Sequence, residues 1–405
     1  MAPGIPVTCS SDELFSRTLR ILADLVRFDT TSHKSNVSII SYVKDLLTSC
    51  GVDSQLHWNT RHDKASLIAT AGRGGVRERG ILWSAHTDVV PVDGQIWTSD
   101  PFTLRVTDKL AVGRGTADMK GFIACCLAIL SAAAIDSLTR PITLVLTYDE
   151  EVGCVGARQL VPELRKRSEQ AIGCIVGEPT GLTVVVGHKG KQNHRVRFTG
   201  EAKHAALAPE AANPITTASA LAIHASSLNQ RFRSQGPHDE RFGIPYSWIN
   251  LGRVEGGVKP NIVPAVCTME LEVRALPEQG CDDISSQLRL YADGTLLNQM
   301  QAHTASATIE WEQLSDTPWF AIDENHPFVE MVTATLSKPT PPEYVAFGTE
   351  AGLFWGHAGI PTVVWGPGSI AQAHAPNEAV SLDQLSTCLS SLQKLPLAST
   401  SQTSL

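Results

Sequence analysis

An α/β fold, with a central mixed sheet covered by helices and an α+β insert within it, is predicted by three features of the sequence. Short apolar runs without alternation, at residues 81–85, 142–146, 171–176 and 361–365, are separated by helical stretches, as expected of strands buried on both faces. From near residue 187 to near residue 314 the texture changes to polar–apolar alternation, the mark of half-exposed strands. The 405 residues, 42% of them hydrophobic, exceed what a single compact core usually organises. The division expected is a first domain of residues 1–186 and 315–405 and a second of residues 187–314.

In chain order, Ser10 or Ser11 can cap a helix whose first turn carries Asp12 and Glu13 and whose apolar face includes Leu14, Leu22 and Leu25. Residues 39–47 read as a second helix. The longest apolar run, residues 122–135, is 14 long, shorter than the ~20 residues that span a bilayer, and reads as a buried helix. In the insert, Met269, Leu271 and Val273 share one face of a strand, while Glu270, Glu272 and Arg274 share the other. Lys189, Lys191, Arg195 and Arg197 likewise fall on one parity, which reads as a solvated sheet face. The Ser- and Thr-rich residues 397–405 are expected to be disordered.

Thirty-three Lys and Arg stand against 41 Asp and Glu, a formal charge of -8. That balance argues against nucleic acid or an anionic membrane as the main partner and in favour of a small molecule. Nine scattered cysteines, with no Cys-x-x-Cys pair, resemble reduced, buried thiols rather than a disulfide framework, and the adjacent Cys125 and Cys126 read as core packing. Residues 1–10 carry Pro3 and Pro6 and lack the basic start and apolar core of a signal peptide, so a cytoplasmic location is expected.

Several apolar runs end in residues able to bind metal. Residues 81–85 lead into His86-Thr87-Asp88, residues 142–146 into Asp149-Glu150-Glu151, and residues 171–176 into Gly177-Glu178-Pro179. In open α/β sheets ligands bind outside the carboxyl ends of the strands, so these side chains can converge. Asp118 immediately precedes the long apolar helix, and His374 follows the loop that begins Gly366-Pro367-Gly368-Ser369. Two imidazoles and three carboxylates make a nitrogen and oxygen donor set that zinc accepts, and one carboxylate shared by two ions would leave each with two further ligands. Each residue alone also has an ordinary reading, a hydrogen-bonded core histidine or a solvated acidic turn. Residues 113–118 mimic a dinucleotide loop, but Asp118 stands where the third glycine would be required.

These motifs resemble the co-catalytic zinc deacylases and exopeptidases, a family that includes acetylornithine deacetylase, succinyl-diaminopimelate desuccinylase and glutamate carboxypeptidase. The resemblance covers nearly the whole chain and rests on His86-Thr87-Asp88-Val89-Val90-Pro91, Gly113-Arg114-Gly115-Thr116-Ala117-Asp118-Met119-Lys120-Gly121, Asp149-Glu150-Glu151-Val152-Gly153, Gly177-Glu178-Pro179-Thr180 and Ala373-His374. Within the family, Tyr148, Cys154, Gly187-His188-Lys189-Gly190-Lys191 and Gly348-Thr349-Glu350-Ala351-Gly352 look most like the acetylornithine deacetylases.

The resemblance implies a zinc-exopeptidase-like catalytic domain with an inserted lid that pairs two chains in a homodimer. It also implies two Zn²⁺, with Co²⁺ able to substitute, bridged by Asp118 and held by His86 and Glu178 on one side and by Glu151 and His374 on the other. Asp88 would fix the His86 ring, and Glu150 would serve as general base. His204 would stabilise the oxyanion, often from the neighbouring subunit, although Ala205-Ala206 replaces the hydroxyl residues common after it. Asn261 and Arg274 match substrate-binding positions, Arg274 being equally suited to a salt bridge on the Glu270 and Glu272 face. Thr349 and Glu350 are implied to face the metals, Glu350 either meeting the cationic amine of an ornithine-like substrate or standing as a solvated loop carboxylate. The expected substrate is an N-acyl amino acid, N-acetylornithine first, which implies a step of arginine biosynthesis. A dipeptidase or a deacetylase of a specialised metabolite is the alternative. A catalytically silent homologue is disfavoured, because all five ligands and the base are present.

Overall fold

The computed structural model describes residues 5, 7–72, 79–133, 135, 138, 140–337 and 339–395. Residues 397–405, expected to be disordered, and part of the segment read for a signal peptide, residues 1–4 and 6, lie outside the described residues. The chain divides into two compact units, Met1–Gly187 with Ala321–Glu343 and Thr349–Leu405, and His188–Phe320 with Tyr344–Gly348.

The first unit is built on a mixed sheet whose order runs Ser54–Trp58, Ala65–Ala71, Ile142–Thr147, Gly80–His86, Ala171–Val176, Thr362–Val364 and Val185–His188. Four of these strands, Ile142–Thr147, Gly80–His86, Ala171–Val176 and Thr362–Val364, are mutually parallel. Parallel neighbours require crossovers, and two are supplied by the helices Gly121–Ala132 and Val155–Arg167. All seven residues of Gly80–His86 and all six of Ile142–Thr147 are buried, which accounts for their unbroken apolar runs.

Helix Gly121–Ala132 is buried at every residue except Ser131, including both Cys125 and Cys126. Its Phe122 ring lies against Gly177, where a Cβ would come within 2.0 Å of the ring, so only glycine lets the chain leave Ala171–Val176 on this path toward Glu178. Helix Ser11–Val26 begins with a capping box: Ser10 Oγ accepts from Glu13 N–H at 3.3 Å and the Glu13 carboxylate accepts from Ser10 N–H at 2.8 Å. Seven of the nine cysteines are buried, and none of the nine is joined in a disulfide. No helix among the described residues is long and apolar enough to cross a membrane.

The second unit is an antiparallel sheet ordered Trp248–Gly256, Val266–Ala275, Gly190–Thr199, Thr308–Thr317. Helices Pro214–Gln235 and Cys281–Tyr291 cover one face around Phe198, Leu221, Phe232, Met269 and Ile284. On the other face the expected basic row is matched by acids, with Arg195 2.9 Å from both Glu270 and Glu312. The insert reaches past residue 314, because Thr308–Thr317 pairs with the neighbouring strand as far as Thr317 opposite Lys191.

Lys189 departs from the solvated row to which its parity assigned it. It is fully buried, with Nζ donating to the carbonyls of Ile244 and Tyr246 at 2.6 Å and lying over the rings of Trp248 and Phe242. The physical reason is that Lys189 precedes Gly190–Thr199 and follows Val185–His188, so the parity of neither strand extends to it.

Candidate metal centre

The carboxyl ends of the parallel strands bring the candidate ligands together, all within the first unit. His86 is the last residue of Gly80–His86; Glu150 and Glu151 follow Ile142–Thr147; Glu178 follows Ala171–Val176. Asp118 stands before Gly121–Ala132, with the Asp118–Met119 peptide cis, and His374 occupies a left-handed position, φ 63°, in the loop after Thr362–Val364.

His86 Nε2 lies 2.9 Å from Asp118 Oδ1 and 3.8 Å from Glu178 Oε1. His374 Nε2 lies 3.3 Å from Asp118 Oδ2 and 3.0 Å from Glu151 Oε2. Asp118 therefore stands between the two imidazoles, one oxygen toward each. Two sets of donors share His86: one joins it to Glu150 and Glu178, the other to Asp118 and Glu151, with the donor atoms of each set within 4.8 Å of one another.

His86 Nδ1 is 2.9 Å from the Asp88 main-chain oxygen. A carbonyl only accepts, so Nδ1 carries a proton and Nε2 is the atom turned toward the carboxylates, where a metal would meet its lone pair. His86 thus meets the backbone oxygen of Asp88 more closely than its carboxylate, which is 3.6 Å away. That carboxylate is occupied elsewhere, accepting from Glu150 N–H at 3.1 Å, Glu151 N–H at 3.3 Å and Ser32 Oγ at 2.8 Å, and so it holds the acidic turn.

Electrostatically the cluster asks for positive charge. Burial, with the Asp118 charge added, pushes Glu178 well above the ordinary carboxylate range and also raises Glu151. Burial pushes Glu150 up to about 8. For Asp118 burial acts in the same direction but is outweighed by hydrogen bonds to His374 and His86, which hold it low. Contacts with Asp118 and then Glu151 push His374 up to about 10. Glu178 Oε1 is buried without a hydrogen-bond partner. An orphaned carboxylate oxygen, an imidazole lone pair and three further acids around one space fit divalent cations with nitrogen and oxygen ligands.

Other candidates lie elsewhere. Glu350 is fully buried rather than solvated, and both its oxygens are taken by hydroxyl donors, Ser84 Oγ and, at 2.8 Å, Thr147 Oγ1. Of its two expected settings, a substrate amine or a solvated loop, the second does not match this burial; its oxygens face the hydroxyls of Ser84 and Thr147 on two neighbouring strands. Thr349 is buried too, with its hydroxyl accepting from Ala351 N–H at 3.0 Å.

In the second unit His204 opens a short helical turn. Its Nδ1 accepts from Ala206 N–H at 3.2 Å, so this local hydrogen bond is made by backbone despite the missing hydroxyl. Asn261 is exposed and its carbonyl accepts from Ala205 N–H at 3.0 Å, which brings the two segments side by side. Arg274 donates to Glu272 at 2.8 Å and to the Ala346 carbonyl at 2.8 Å, making the salt bridge its face allowed. Sequence reasoning missed Ser32, Ser84, Thr147, Arg114 and Glu378, whose partners stand far away along the chain and leave no periodic signal.

The comparisons agree with this geometry. The chain is 33% identical to the acetylornithine deacetylase of Edwardsiella ictaluri (strain 93-146) over 361 residues, 88% of this chain and 89% of that one. It is also 33% identical to the acetylornithine deacetylase of Shigella sonnei (strain Ss046) over 347 residues, 85% of this chain and 86% of the other. Aminopeptidase PepT from Bacillus cereus ATCC 10987 shares the fold with a TM-score of 0.72 at 22% identity, covering 95% of this chain and 99% of its own. Residues 82–398 match the model of Peptidase family M20/M25/M40, and the chain, a metal-dependent amide hydrolase, belongs to that family.

Proposed function

We propose that this protein is a dinuclear zinc amidohydrolase that removes the acetyl group from N-acetylornithine, giving ornithine and acetate. The observation that carries the proposal is the pair of donor sets sharing His86, one of which includes the orphaned Glu178 oxygen. Asp118 would lie between the ions, with His86 and Glu178 holding one and Glu151 and His374 the other. Bound zinc, for which cobalt would substitute, supplies positive charge that polarises the amide carbonyl and acidifies water.

The chain's own residues move the protons. Glu150 takes one from the attacking water and delivers it to the departing amine. Its support is its place in the donor set with His86 and Glu178, beside the proposed ions, and a buried carboxyl raised above its ordinary range. His204 donates from Nε2 to the oxyanion; with Nδ1 accepting from Ala206, the proton of a neutral ring resides on Nε2. Asn261 and the guanidinium hydrogens of Arg274 left over from Glu272 and Ala346 would bind the substrate carboxylate. A homodimer through the second unit is supported by the edge strand Trp248–Gly256, whose last five residues are exposed. Cytoplasmic arginine biosynthesis is the setting that fits this substrate.

N-acetylornithine is favoured by the two relatives, each similar over most of its length. A second reading, a deacetylase of a different N-acyl amino acid on the same scaffold, is supported by Glu350, a buried carboxylate whose two oxygens already accept from the Ser84 and Thr147 hydroxyls. The test is kcat/KM for N-acetylornithine, N-acetylmethionine and a dipeptide, with zinc or cobalt present. Preference for N-acetylornithine is expected. Preference for the neutral substrate would assign the second reading, and cleavage of the dipeptide alone would refute both.

A further inference from the structure

We infer that a buried ion pair, Arg114 with Glu378, positions two of the metal-binding side chains, Asp118 and His374, as one unit; the inference rests on the metal reading given above. Both residues are about 1% exposed, and Arg114 Nη1 lies 2.8 Å from Glu378 Oε2. The sequence gives neither residue a role, although Arg114 lies in one of the shared motifs, and neither is itself a donor to the proposed ions.

Glu378 organises the segment that carries Asp118. Its Oε1 accepts from the N–H groups of Ala117 at 2.9 Å and Asp118 at 3.0 Å, and its Oε2 accepts from Gly115 N–H at 2.9 Å as well as from Arg114. Three amides of one loop, those of Gly115, Ala117 and Asp118, thus converge on one carboxylate, as around a bound anion. The backbone of Glu378 adds a fourth tie, its carbonyl accepting from Gly113 N–H at 2.9 Å. Gly115 is left-handed at φ 81°, and a Cβ there would meet Val89 and Lys120 at 2.9 Å, so the loop depends on glycine to reach this arrangement.

Arg114 carries the tie onward to His374. Its Nη2 donates to Gln95 Oε1 at 2.5 Å, and Gln95 Nε2 donates to the His374 carbonyl at 2.8 Å. Its Nη1 also reaches the Ala375 carbonyl at 3.4 Å. Left-handed backbone at a histidine costs energy and persists where neighbours hold it. At His374 the holders are Gln95 and Arg114. Asn377, left-handed at φ 58°, is fastened similarly by Thr98, whose N–H and hydroxyl both donate to its side-chain oxygen.

A positioning role predicts weaker metal binding in a folded protein, whereas a merely structural role predicts lower stability with metal binding intact. The test titrates metal-free wild type, Glu378→Gln and Gln95→Ala with zinc against a chromogenic chelator, with circular dichroism and Tm of the metal-free proteins measured in parallel. Glu378→Gln turns an amide NH₂ toward donors and is expected to weaken at least one ion by about ten- to a hundredfold, the usual effect of losing a partner that orients a ligand. Gln95→Ala breaks the link between Arg114 and His374, together with the acceptor of Trp97 Nε1, while leaving Glu378 on the Asp118 segment, and is expected to weaken one ion by about tenfold, with metal-free Tm lowered by no more than about 2 °C. If Glu378→Gln does not fold, Gln95→Ala decides alone. Wild-type affinity for both ions in the folded variants, whatever their Tm, would overturn the inference. A wild type that binds no zinc would instead overturn the metal reading beneath it.

Discussion

Replacing Glu150 with Gln isolates proton transfer from metal binding. Glu150 is held by its own backbone, whose N–H donates to Asp88 Oδ1 at 3.1 Å, and its Oε1 accepts from the Cys154 thiol at 3.5 Å. A glutamine keeps both contacts and nearly the same volume. What it loses is the charge and the ability to take a proton. A positioned general base contributes roughly a hundred- to ten-thousandfold, or about 2.7 to 5.4 kcal/mol of barrier at 1.36 kcal/mol per tenfold. Glu150→Gln should therefore lower kcat at least a hundredfold, with bound zinc remaining near two ions per chain. The assay is acetate release from N-acetylornithine, with metal content measured by mass spectrometry on the same samples. A kcat within tenfold of wild type would refute Glu150 as the base. Loss of one ion would make it a ligand.

Thr147→Val should test the enclosed carboxylate. It removes the hydroxyl 2.8 Å from Glu350 at constant shape and should cost about 1.5 to 3 kcal/mol, lowering Tm by several degrees; an unchanged Tm would mean that the contact contributes nothing. For His204, mixing His204→Ala with Glu150→Gln protein should regain activity if the histidine serves the partner's site. No recovery with subunit exchange verified would mean that His204 acts within its own chain or not at all.

Much of the site is legible because the signal is local. His86 ends one apolar strand and Glu151 and Glu178 follow two others, so the pattern that fixes each strand also locates the candidate ligand. Arg274 and Glu272, two apart on one strand, share a face by the pleat alone, and their salt bridge is visible in the same pattern. Glu350 is different. Its burial depends on Ser84 and Thr147, 266 and 203 residues away, and nothing within its own loop separates an enclosed carboxylate from a solvated one. The same holds for Glu378 and Arg114, 264 residues apart, which are joined only when the two loops meet. Asp88 is an intermediate case. Proximity to His86 is evident from spacing, but the choice of carbonyl over carboxylate follows from the turn at Glu150 and Glu151, whose amides claim the carboxylate.

The most direct test of the two-metal mechanism is a single titration of metal-free protein with zinc, following bound ions and N-acetyl amino acid hydrolysis together. Hydrolysis should be absent without metal and should rise to a plateau as about two ions bind per chain, the number that the proposed five-ligand set with a shared carboxylate accommodates. Full hydrolysis by thoroughly metal-free protein would contradict the mechanism.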